Sequence, residues 1–106
     1  MLYSESIVQC VWEKAISVIN QDPTHVCKDV CGAWIVFEAY ADRNSEYGWG
    51  IDHIIPVAKG GTDDLSNLQP LHWDNNVAKG DGDLVCKVTA DGFHNKVVPN
   101  WNILFE

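Results

Sequence analysis

The chain has 106 residues, room for one domain with one modest core, because small chains bury a limited share of their unfolded surface. Hydrophobic residues make up 46% and five are tryptophans, which excludes a globally disordered chain. Fifteen acidic against seven basic residues leave a net charge of −8, which opposes the counterion release that drives most nucleic-acid binding.

No apolar run approaches the roughly 18 residues of a membrane span. The opening MLYSESIVQC has no positive segment ahead of an apolar one, so no leader is expected and a soluble, cytoplasmic protein is. Cysteines stand at 10, 27, 31 and 86, and there is no Asn-x-Ser/Thr acceptor. Without a secretion signal they are read as four reduced thiols rather than a disulfide framework.

From Ser4 to Asn20, Ile7, Val8, Val11, Trp12, Ala15, Ile16 and Ile19 recur at three- and four-residue spacing. This predicts an amphipathic helix capped by Ser4 and stopped before Pro23. Residues 25–42 are rich in β-branched and aromatic side chains around Gly32, which predicts two short strands and a turn or bulge. GWGIDHIIP reads as a further strand ended by Pro56, and it contains Asp52 and His53. Gly60, Gly61 and the stretch TDDLSN mark a loop, followed by a strand in LQPLHW. Asp74 is placed to cap a short helix carrying Asn75, Asn76 and Lys79 and closed by Gly80. Apolar residues flanking Asp91-Gly92 predict a C-terminal hairpin.

Within residues 50–80 the residue types suit one chemistry. Phosphodiester hydrolysis needs an activated water, a charge clamp on the phosphoryl oxygens and help for the leaving oxygen. His53 is the natural base, since a histidine near its ordinary pKa of about 6.5 accepts a proton at neutral pH. Asp52 and Asn76 offer oxygen, the ligand type of hard cations. Asn76 and Lys79 are three apart and share a helix face, so Lys79 can reach a phosphate beside a metal. A lysine near a helix C-terminus is also favourable with no substrate present. Asp52 and His53 are adjacent, and strand neighbours point to opposite faces, so the strand must twist, bulge or end there.

The segment IDHIIPVAKGGTDDLSNLQPLHWDNNVAKGD resembles the HNH endonuclease signature in its H-N-N form. The resemblance spans about 49–81 and implies an α+β fold: a central ββα-metal finger flanked by the N-terminal helix and β-hairpins, in one domain over 1–106. It implies His53 as general base and Asn67, fourteen residues on, as the asparagine that bonds across the loop and holds that base. It implies Asn76, nine residues further, as metal ligand beside Asp52, with Lys79 as the basic residue that follows. Asn75 stays open as the ligand if the register slips by one.

Zinc-bearing relatives carry a cysteine pair that would fall at His72 and Asn75, matched by an earlier Cys-x-x-Cys. Neither pair is present, since Cys27 and Cys31 are spaced Cys-x-x-x-Cys. A structural zinc is therefore not expected, and Asn at 76 turns the preference toward one Mg²⁺ or Mn²⁺. Zinc on His25, Cys27, Cys31 and Cys86 is the weaker alternative to packing these cysteines in the core. His72 and the tryptophans are read as structural before any substrate contact.

The expected activity is endonucleolytic hydrolysis of DNA. RNA is left open, as are a protein partner that lends specificity and a catalytically silent module that keeps the fold. No helix-turn-helix or basic reading element is visible.

Overall fold

A computed structural model describes residues 3–102. Helix α1 spans Glu5–Trp12. Strands β1 (Val26–Lys28) and β2 (Trp34–Val36) form one antiparallel pair, and β3 (Trp49–His53) and β4 (Leu68–His72) another. Helix α2 (Trp73–Lys79) follows β4 directly, and β5 (Val88–Asp91) pairs with β6 (His94–Val97). Among the described residues the architecture is α+β, with three two-stranded sheets. Among the described residues no helix is long and apolar enough to cross a membrane.

Helix α1 begins as its sequence requires: Ser4 Oγ accepts from the Ile7 backbone N–H, and Glu5 lies in the first turn. It ends at Trp12, well short of the expected Asn20. Val8, Val11 and Trp12 already bury its apolar stripe in two turns. Beyond them, Ile16 exchanges two backbone hydrogen bonds of 2.9 Å with Lys28 beside β1. Ile19, which the periodicity places on the same stripe, is 89% exposed. Edge pairing has overridden a helical pattern, as tertiary context commonly does.

The core joins Val8, Val11, Trp12, Cys27, Ile35, Trp49 and Leu68. Trp12 and Trp49 lie 5.2 Å apart, and their indole N–H groups donate to Pro23 and Phe37 carbonyls. Buried indoles thus keep their one polar group satisfied while contributing about 2–3 kcal/mol each.

The β3–β4 ladder pairs Trp49 with His72, Asp52 with Gln69 and His53 with Leu68. Pro70 is accommodated opposite Ile51 because each strand of a two-stranded ladder has a free edge. The cap of α2 differs from expectation: His72, not Asp74, is the N-cap, and its Nδ1 accepts from the Asp74 N–H. Asp74 sits in the first turn instead, 2.9 Å from Lys87 Nζ. The C-terminal turn is shifted by one residue, because Asp91 pairs with His94 and leaves Gly92-Phe93 as the loop. Gly92, with φ +62°, supplies the positive dihedral at the first loop position.

The reading of four reduced thiols is overturned. Cys31 and Cys86 form a disulfide that ties the β1–β2 turn to the segment entering β5. Their Cα atoms are 5.4 Å apart across 55 residues of chain, a proximity that composition cannot report. Cys10 and Cys27 are free; burial pushes the Cys27 thiol up.

Candidate active site

The end of β3, the loop behind it and the last turn of α2 enclose a cleft of about 220 Å³ lined by Asp52, His53, Pro56, Asn76, Lys79 and Asp81. The strand ends at His53, which answers the problem of two neighbours on opposite faces. Asp52 projects toward α2 while His53, the last ladder residue, turns toward the loop.

Asp52 is buried, with both carboxylate oxygens engaged. Gln69, directly opposite on β4, donates to Oδ2 at 2.9 Å, and Lys79 Nζ lies 3.3 Å from Oδ1. Lys79 also donates to the His53 carbonyl at 2.8 Å, and only 2% of its side chain is exposed. Lys79, expected to reach a phosphate beside a metal, lines the cleft with its ammonium held by Asp52 and the His53 carbonyl. Its side chain is buried between α2 and the end of β3 and its ammonium compensates Asp52, because a buried carboxylate without a partner is costly.

The two asparagines of α2 have different surroundings. Asn75 is fully buried: its amide donates to Asp29 Oδ2 and the Val88 carbonyl, and its oxygen accepts from the Val88 N–H. Its hydrogen bonds bolt α2 to β5 and leave nothing for the cleft. Asn76 faces the cleft and has no side-chain hydrogen bond among the described residues. Gly50, two residues before Asp52 on the same face of β3, lies beside Asn76, where a Cβ would make an ordinary contact of 3.6 Å with Asn76 Nδ2.

Asn67 is buried and reaches across the loop. Its oxygen accepts from the Ile55 N–H at 2.8 Å, and its amide donates to the Ile55 and Thr62 carbonyls at 3.0 and 2.8 Å. These bonds close the loop; none goes to the His53 ring. His53 Nε2 lies 2.7 Å from Asp63 Oδ1 instead.

Sequence reasoning missed Asp63, Gln69 and Asp81. The pairing of Asp52 with Gln69 was recoverable once the two strands are taken as a hairpin. Asp63, read as one more loop aspartate, carried no distinguishing signal.

Asp29 was also missed. It is buried, and its carboxylate accepts four hydrogen bonds: from the Cys31 and Ala33 N–H groups on one oxygen, and from the His72 N–H and Asn75 amide on the other. His72 and Asn75 are the positions where zinc-bearing relatives would carry thiolates. Here a carboxylate joins the β1–β2 turn to the start of α2, and the nearby disulfide ties the same turn to the segment entering β5. His72 is structural, with Nε2 2.7 Å from the Glu46 carbonyl oxygen. The alternative zinc set fails because Cys31 and Cys86 are bonded to each other, while His25 is held by Glu38.

Among the described residues no three His, Cys, Asp or Glu side chains converge on one point. Any ion in the cleft therefore rests on a mixed oxygen set. Asp52 and Asn76 bring oxygen atoms, the donor type of hard cations, to the cleft, but Gln69 and the Lys79 ammonium occupy both Asp52 oxygens, so an ion bound there would have to displace or share these partners. Away from the cleft, burial raises Tyr3 and Tyr40, with the Asp63 charge adding to Tyr3.

Two comparisons are silent: no curated protein and no solved structure matches the chain. The model of the HNH endonuclease family matches residues 27–82, more than half of the 106 residues and inclusive of the cleft, its loop and the Asp29 brace. The chain belongs to the HNH endonuclease family.

Proposed function

We propose that this chain is a single-domain, metal-dependent endonuclease that hydrolyses DNA phosphodiester bonds through a ββα-metal finger made of β3, β4 and α2. His53 accepts the proton of the attacking water. Asp52 and Asn76 hold one Mg²⁺ or Mn²⁺, and Asn67 keeps the loop behind His53 closed. When bound, the ion supplies positive charge to the scissile phosphate and the departing 3′ oxygen. Lys79 keeps the Asp52 carboxylate oriented and its charge balanced, and is not assigned to the phosphate. Products carry 5′-phosphate and 3′-hydroxyl ends.

The observation that supports this reading best is the meeting of Asp52, His53 and Asn76 in one cleft, in a chain of a family whose nucleases act on DNA. Plasmid cleavage in Mg²⁺ or Mn²⁺ tests it. The wild-type protein is expected to nick or linearise the plasmid, and His53→Ala to lose at least about 100-fold in rate. Equal cleavage by both proteins would remove His53 as the base.

The net charge of −8 and the inward-turned Lys79 favour a second reading, a silent module that binds a protein partner. Partner or duplex binding with no metal-dependent cleavage would select it.

A further inference from the structure

Asp63 lies on an exposed stretch of loop, yet its Oδ1 approaches His53 Nε2 to 2.7 Å. We propose that Asp63 is the positioning residue for His53, holding the imidazole as the Nε2–H tautomer and leaving Nδ1 as the nitrogen that takes the proton from water. The proposal rests on the reading of His53 as general base.

An ionised carboxylate has lone pairs and no hydrogen, so a 2.7 Å contact requires the hydrogen on Nε2. In a neutral imidazole the other nitrogen is then bare. The opposite tautomer would set lone pair against lone pair. Nδ1 has no protein partner among the described residues, so its lone pair is free. In the hydrolytic step the water oxygen bonds to phosphorus and its proton passes to Nδ1. The bond from phosphorus to the 3′ oxygen breaks, and that oxygen leaves with the electron pair and takes a proton from solvent.

Asp63 is 57% exposed at its side chain, and a contact so open to water is weak unless the backbone presents it. The loop does so. Before Asp63, the Thr62 carbonyl accepts from Asn67 and the Gly61 N–H donates to the Pro56 carbonyl at 2.9 Å. After it, the Asp64 carbonyl accepts from the Asn67 N–H at 2.8 Å, and its carboxylate from Thr62 Oγ1 at 3.1 Å. Gly61 permits this path, because a Cβ there would lie 1.7 Å from the Ile55 carbonyl oxygen. Asn67 therefore acts on His53 at one remove: it fixes the loop backbone, and the loop delivers Asp63 to the ring. The strand end holds the backbone of His53, and Asp63 holds its ring.

Long-range ¹H–¹⁵N correlation spectra of the imidazoles, taken near pH 8 where histidine is largely neutral, test the proposal independently of cleavage. His53 is assigned by its loss in His53→Ala. Expected are the Nε2–H pattern in the wild-type protein and a mixture of tautomers in Asp63→Ala. In plasmid cleavage, Asp63→Ala should lower kcat by about 10- to 100-fold with KM unchanged. Asp63→Glu should recover part of the loss, as should Asp63→Asn, which keeps one accepting oxygen for the Nε2–H. A wild-type Nδ1–H pattern overturns the proposal. So does an Asp63→Ala protein with wild-type tautomer or wild-type kcat. If the wild-type protein cleaves no DNA, the nuclease reading falls, and the spectra still decide whether Asp63 sets the ring.

Discussion

Asp29 shows how one side chain can stand where a larger device would otherwise be needed. Its four donors come from the β1–β2 turn, the β4 end and α2, so one carboxylate joins three segments. Hydrogen bonds to a charged acceptor contribute about 1.5–3 kcal/mol each, and unpaired buried donors are costly. Asp29→Ala is therefore expected to lose at least about 3 kcal/mol, read as a lower urea midpoint at unchanged slope. Asp29→Asn, which keeps one accepting oxygen, should lose less. A midpoint unchanged by Asp29→Ala would show that water or a shifted turn satisfies the donors. Lys79 makes the complementary point, since its charge belongs to Asp52 before it belongs to any substrate.

At the scale of elements, the β3–β4–α2 unit owes its geometry to what closes its long connection. Asn67 and Gly61 shape that connection, and its two single-turn helices, Val57–Lys59 and Leu65–Asn67, use up its length. The β5–β6 hairpin is held differently. Asn95 exchanges hydrogen bonds with the Trp34 backbone, and the Asn95 N–H donates to the Glu46 carboxylate at 2.8 Å. That backbone bond, followed by His94, holds the Glu46 carboxyl below its ordinary 4.5. A depressed carboxylate stabilises the fold above its unfolded pKa, and the contribution disappears as pH falls through the lower folded value. Amide exchange in β6 should therefore quicken as pH drops below about 4.5 relative to core amides, after correction for intrinsic rates. In Glu46→Gln this pH-dependent change should be absent. The same change in Glu46→Gln would assign it to another group.

At the scale of the whole molecule, the disulfide closes a span of 55 residues that contains the cleft. Chain entropy makes such a closure worth roughly 2–4 kcal/mol. Reductant should lower the urea midpoint of the wild-type protein to that of the Cys31→Ser, Cys86→Ser double variant, and leave the variant unmoved. Equal midpoints with and without reductant would mean that the link adds nothing.

The sequence by itself determined the order of strands and helices from 26 to 97 and the strand that carries Asp52 and His53, while the pairing of that strand and the choice of Asn67 and Asn76 came from the family resemblance. The elements are encoded by local periodicity and turn residues, each within one short segment. It misjudged the length of α1, the cap of α2 and the state of Cys31 and Cys86. The tertiary structure alone decided that Asn76 and not Asn75 faces the cleft, that Lys79 turns inward, that Asp29 braces α2 and that Asp63 meets His53. The last three are contacts between side chains 10 to 46 residues apart in the chain. Such contacts follow from how the loop and sheets pack, and no periodicity along the chain records them.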